Sequence, residues 1–172
     1  MNETAANQAP SPLSDVRAVH AQPKTHVASA EELALISLSA GLLFENNQNI
    51  ARSQVFDSLF ARERLGSTGL GQGIAIPHGR IKGLRDAVGA AIRMHEPIPF
   101  DAPDGLPVNL IFVLLVPERA TDMHLRILSE LAQMFSDKQF REQLLGAPSA
   151  DAVHRLIAEW QPNAENHRSA AV

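Results

Sequence analysis

The run Val108-Asn109-Leu110-Ile111-Phe112-Val113-Leu114-Leu115-Val116 constrains the fold of this chain more than any other stretch. It is rich in β-branched and aromatic residues, too short to span a membrane, and apolar at almost every position, with no polar alternation. That pattern predicts a central strand covered on both faces. The covering layers must come from helices elsewhere in the chain.

Helical periodicity is present on both sides of the run. Ser29 and Glu32 form a capping-box start for a helix reaching about Phe44, with Leu33, Ile36, Ala40 and Leu43 near one face. A second helix is expected from about Ser53 to Leu65, with Val55, Phe56, Leu59 and Phe60 inward and Gly66 as its stop. Beyond the run, Thr121 or Asp122 can cap a helix to about Phe135 whose stripe is Ile127, Leu128, Leu131 and Phe135. Two shorter helices follow, about Asp137 to Leu145 before Gly146 and about Ser149 to Trp160, the second with Val153, Leu156, Ile157 and Trp160 inward.

Strands are also expected at about Gly73 to Ile76 and Ala87 to Met94, while Pro97, Pro99 and Pro103 break the chain before the central run. Two successive strands with no helix between them imply a mixed sheet. The expectation is a single α/β domain, a mixed central β-sheet flanked by helices, over residues 13–160. Residues 1–12 and 161–172, rich in small and polar residues, read as mobile tails.

A chain of 172 residues can bury one good core. Its net charge of −4 argues against bulk binding to nucleic acid or to an anionic membrane. With no apolar run of spanning length and no basic-then-apolar leader, a cytoplasmic protein without membrane insertion is expected. The sequence contains no cysteine, so disulfides, thiolate metal sites and cysteine nucleophiles are excluded.

Chemistry concentrates in Gly69-Leu70-Gly71-Gln72-Gly73-Ile74-Ala75-Ile76-Pro77-His78-Gly79-Arg80. Glycines allow tight turns, Ile74-Ala75-Ile76 is a short β-prone stretch, and Pro77 holds Ile76 extended, so the strand should stop there. Gly79 leaves the far side of His78 open. A neutral imidazole presented in this way can carry a phosphoryl or acyl group. Taken alone, the turn suits a plain structural histidine equally well.

The longer segment Arg62-Glu63-Arg64-Leu65-Gly66-Ser67-Thr68 through Arg80 closely resembles the active-site segment of EIIA domains of the bacterial phosphotransferase system, most of all the nitrogen-regulatory type, with the mannitol and fructose EIIA domains as relatives. The similarity runs more loosely from Leu13 to Trp160 and includes Phe100-Asp101-Ala102 and Leu114-Leu115-Val116-Pro117. The resemblance implies that His78 accepts a phosphoryl group, on Nε2, from a phosphohistidine carrier, a nitrogen-type HPr. It also implies that Arg62 and His124 stabilise the group, without metal or organic cofactor. Gln72 stands where the mannitol type has glutamate, and a neutral amide cannot act as a base.

The resemblance further implies a regulator whose phosphorylation state selects partners such as sensor kinases or potassium-transport components. Two alternatives stand beside it: a sugar-specific EIIA passing phosphate to an EIIB domain, and a binding module that is no longer phosphorylated. His124, in the first turn of its expected helix, would meet the positive end of the macrodipole, which favours an anion and a neutral imidazole. Without the resemblance, Arg62 reads as a solvated residue at a helix end and His124 as a first-turn surface residue.

Arg80 can dock an anionic partner or be a solvated loop charge. Arg64, Ser67 and Thr68 suit phosphate contacts or ordinary turn roles. His20, His26, His95, His154 and His167 have no metal-ligand spacing, and a metal site on His78 and His124 would need Asp122 as a further ligand. No Gly-Lys-Ser/Thr follows the glycines, so nucleotide binding is not expected.

Overall fold

A computed structural model describes residues 17–21, 36, 40, 41, 44, 50–119 and 121–162. Its strands are β1 (Arg17–Ala21), β2 (Gly69–Gly71), β3 (Ile74–Ala75), β4 (His78–Ile81), β5 (Val88–Ile98) and β6 (Val108–Pro117). Its helices are α1 (Arg52–Glu63), α2 (Thr121–Ser136), α3 (Lys138–Gly146) and α4 (Ala150–Ala158). The expected capping box at Ser29 and Glu32, the tail over residues 1–12 and nearly all of that over 161–172 lie outside the described residues. Ile36, Ala40, Gly41 and Phe44 of the first expected helix are helical and buried.

The strands form one mixed sheet in the order β1-β5-β6-β3-β2, with β4 also pairing with β6. β5 runs antiparallel to β6, whereas β3 and β4 both run parallel to it. β6 is the central apolar strand, and successive side chains enter opposite cores. Ile111, Val113 and Leu115 join Val55 and Leu59 of α1 together with Ile36, Ala40 and Phe44. Leu110, Phe112, Leu114 and Val116 join Ile127 and Leu131 of α2, Leu144 of α3 and Val153 and Ile157 of α4. Phe112 packs on Phe135 with ring centroids 6.2 Å apart. Helices thus cover both faces, as the run requires.

Local chemistry sets the ends of the later helices. Asp137 caps α3 by accepting from the amides of Gln139 and Phe140, and Ser149 caps α4 by accepting from Ala152. Arg93, from β5, donates to the carbonyls of Leu144, Leu145 and Ala147 where α3 ends. This joins the helix to the sheet.

Four expectations need correction. The strand approaching Pro77 stops at Ala75, but the chain resumes as β4 at His78, so one interrupted strand lies along β6. β5 continues past Met94 to Ile98 through Pro97, because the ladder to β6 breaks its register between Arg93 and Ile98, where no proline amide is needed. Thr121 and Asp122 are already helical and do not serve as the cap of α2. β1 and β2 add strands that periodicity did not mark.

α1 crosses β4 at unusually short range. Ser58 Oγ donates to the carbonyl of Arg80 at 2.9 Å, and a Cβ added at Gly79 would run into that hydroxyl and lie 3.0 Å from Ser58 Cβ. The hydroxyl can rotate away, but the Ser58 main chain cannot. Gly79→Ala is therefore expected to destabilise the fold by about 1–3 kcal/mol, read from the urea midpoint. A midpoint equal to the parent's would show that α1 shifts freely over the sheet.

Candidate active site

β4 brings His78 to the point where the interrupted strand reopens. The carbonyl of Ile76 lies 2.8 Å from His78 Nδ1, and the carbonyl of Pro77 accepts from the amide of Leu114 at 2.9 Å. A carbonyl oxygen can only accept, so the Ile76 contact assigns the proton of a neutral ring to Nδ1. Nε2 then presents its lone pair. Arg62, in the last turn of α1, donates to it from Nε at 3.1 Å and places another guanidinium nitrogen 2.9 Å from the Gly66 carbonyl.

His124 arrives from the other layer. It is the fourth residue of α2, is only 9 % exposed, and meets the His78 ring edge-on with centroids 5.2 Å apart. Its Nε2 is buried and finds no hydrogen-bond partner among the described residues. A buried ring nitrogen left unpartnered is costly unless something arrives to bond it. Arg80, two residues along β4 from His78, donates to the carbonyl of Glu118 at 2.8 Å and so holds the turn that leads into α2.

Both imidazoles titrate below their ordinary value of 6.5. For His78 the main cause is burial, opposed by the Ile76 hydrogen bond and then aided by the Arg62 charge. For His124 burial again leads, followed by repulsion from His78 when that ring is protonated and by the charges of Arg80 and Arg62. The direction expected for His124 is therefore found, but burial and neighbouring charges account for it, not the helix end. Both shifts favour the neutral ring near pH 7, which for His78 suits nucleophilic attack.

A pH prediction follows from these directions. Because the unfolded rings bind protons at a higher pH than the folded ones, the unfolded state holds more protons just below 6.5. Stability is accordingly full above about 6.5 and falls as the pH drops through the folded midpoints. NMR titration of the ring protons should place both midpoints under 6.5, and urea unfolding should weaken between pH 7.5 and 5.5. Midpoints at or above 6.5 would show that burial does not govern the titration of the two rings.

Of the residues singled out in the sequence, His78, Arg62 and His124 come together, and Arg80 stands beside them. The others have different tasks. Thr68 is buried, and both its amide and its hydroxyl donate to Glu63, at 3.0 and 2.6 Å. Ser67 Oγ donates to the Phe100 carbonyl and accepts from the Gly69 amide. The guanidinium of Arg64 lies over the Phe60 ring. Gln72 takes a positive φ in the β2-β3 turn; its amide donates to Asp104 and its side-chain carbonyl accepts from Arg141. No cluster of metal-ligating side chains occurs among the described residues.

Glu63 is the residue that sequence reasoning overlooked. Its signal was present: a carboxylate in the last turn of a helix opposes the negative helix terminus and needs a local partner.

Comparison with known proteins bears on the family and the fold. Residues 19–160 match the model of the family described as phosphoenolpyruvate-dependent sugar phosphotransferase system, EIIA 2. The chain is 47 % identical over 107 residues to a nitrogen regulatory protein of Pseudomonas aeruginosa, covering 62 % of this chain and 70 % of that protein. With a nitrogen regulatory protein of Bradyrhizobium diazoefficiens it shares 35 % identity over 147 residues, 86 % of this chain and 95 % of the relative. Among solved structures, nitrogen regulatory protein IIA-Ntr from Neisseria meningitidis superposes with a TM-score of 0.70 at 51 % identity, covering 85 % of this chain and 94 % of that one.

Proposed function

The chain belongs to the EIIA 2 family of the phosphoenolpyruvate-dependent sugar phosphotransferase system, and on that premise we propose that it is a cytoplasmic phosphocarrier and regulator of the nitrogen type, with residues 13–160 as its working domain and His78 as acceptor. The observation that carries this reading is the locked imidazole, with Nδ1–H held by the Ile76 carbonyl and Nε2 turned toward Arg62.

In the proposed step, Nε2 of His78 attacks the phosphorus of a phosphohistidine on a nitrogen-type HPr. The new Nε2–P bond forms as the donor's N–P bond breaks, and the donor nitrogen keeps the electron pair. The proton on His78 Nδ1 stays in place, so the phosphorylated ring carries a positive charge facing the phosphoryl oxygens. Arg62 exchanges its bond to Nε2 for one to a phosphoryl oxygen, and the His124 ring supplies a further donor. Such transfer depends on in-line positioning and charge stabilisation. No side chain here has to act as a general base.

Exposed Met123 and Leu125 flank His124 on α2 and offer apolar contact to a docking partner. A phosphoryl group arriving among them changes both charge and shape of that face. Regulatory targets such as sensor kinases or potassium-transport components would read the difference.

The test is intact mass after incubation with phosphoenolpyruvate and the upstream relay. One acid-labile phosphoryl group is expected, and no gain from an active relay would sink the proposal. Onward transfer of the label to an EIIB domain would instead identify a sugar-transport component. Capture of a kinase or ion transporter by the unphosphorylated protein alone would support regulation.

A further inference from the structure

We propose that Glu63 and Thr68 are positioning residues for this transfer, forming a clasp that fixes His78 and Arg62 together; the inference rests on reading His78 as the acceptor. Glu63 Oε1 accepts the Thr68 amide at 3.0 Å and Oε2 accepts the Thr68 hydroxyl at 2.6 Å. The second distance is that of a strong charge-assisted bond. Two donors on one residue meet both oxygens of one carboxylate, so the turn between α1 and β2 is closed at its base.

Both halves of the site hang from this closed turn. Inside it, Gly66 donates its amide to the Glu63 carbonyl at 3.1 Å and offers its own carbonyl to Arg62 at 2.9 Å. At its end, the Thr68 carbonyl accepts the Ile76 amide at 3.0 Å, and the Ile76 carbonyl in turn accepts His78 Nδ1–H at 2.8 Å. One branch orients the guanidinium, and the other selects the imidazole tautomer. Opening the clasp loosens the Arg62 Nε to His78 Nε2 contact from both sides.

Glu63 also occupies a position that simple helix stability disfavours, next to the negative end of α1. Its charge further opposes the effect of Arg62 on His78. Thr68 is buried, so its donors cannot fall back easily on water, whereas Glu63 is half-buried.

The full chain should be compared with Glu63→Gln, Thr68→Val and Thr68→Ser. In the parent, the ring 15N shifts of His78 should report the Nδ1–H tautomer almost alone. Folded Glu63→Gln, which keeps the side-chain shape but not both acceptors, should show a tautomer mixture. Its kcat for phosphoryl uptake should fall roughly 10- to 100-fold, with an unchanged KM for the phosphorylated donor. Thr68→Val should do the same, and Thr68→Ser should recover both readouts.

A pure Nδ1–H tautomer with parental kcat in folded Glu63→Gln would overturn the proposal. So would a tautomer shift with unchanged kcat, or a rise in KM alone. Should the parent itself take up no phosphoryl group, the reading of His78 as acceptor fails. The tautomer ratio in Glu63→Gln would then still decide whether the clasp exists.

Discussion

His78→Ala is expected to fold and to take up no phosphoryl group from an active relay that labels the parent chain. The substitution removes the ring nitrogen that would form the bond, and no neighbour can replace it. The His124 ring meets His78 edge-on, yet it comes from α2 and is buried, with Nε2 lacking a hydrogen-bond partner among the described residues. The stability cost should stay modest. Alanine leaves the Ile76 carbonyl without its side-chain partner, which costs about 1–3 kcal/mol if no water replaces it. Circular dichroism and a urea midpoint establish the folded state, and intact mass reads the transfer. Phosphoryl uptake by folded His78→Ala would move the acceptor to another residue.

Arg62→Ala should have the next largest effect, slowing transfer about 10²- to 10³-fold, as does removal of one preorganised donor from a reaction centre. The guanidinium holds the Gly66 carbonyl and His78 Nε2 at once, and its charge helps keep His78 unprotonated. Arg62→Lys should recover little, because an ammonium keeps the charge but cannot span two acceptors with a rigid planar fork. Loss of His124 should cost less than loss of Arg62, since it removes a single ring donor. Single-turnover rates with a phosphorylated carrier give the order. Parental rates in folded Arg62→Ala would exclude the arginine from the step, and parental rates in Arg62→Lys would show that charge alone suffices.

The layered fold was legible because β6 leaves few alternatives: its apolar residues must be covered on both sides, and the helical stripes of α1, α2 and α4 supply the cover. β4 was not legible. His78-Gly79-Arg80 has little strand propensity, and Pro77 is a strong local stop; pairing with Leu114–Pro117 overrides both. β1 has the same origin, since its five residues are set by parallel pairing with Ala90–Met94. Pro97 was misread as a break because a register irregularity cannot be seen without the partner strand.

In the site, the identities of His78, Arg62 and His124 followed from the resemblance. The resemblance also pointed to Nε2 as the acceptor nitrogen, but the cause of the Nδ1–H tautomer was not visible. The tautomer depends on the Ile76 carbonyl, and the sequence records no main-chain partner. Glu63 and Thr68 were visible as residue types, but their pairing requires the turn between them to be closed.

The interrupted strand bears on how a modification at His78 can be felt. The residues before and after Pro77 are both stitched to β6, at Leu110–Ile111 and at Leu114–Pro117, and the Pro77 carbonyl itself holds the Leu114 amide. Amide protons there should exchange with solvent only when the whole sheet opens. A loop around the histidine could have rearranged and carried news of a new charge to distant surfaces. Here the pairing on both sides of Pro77 opposes such rearrangement, so on the proposed reading a partner would have to touch the histidine itself.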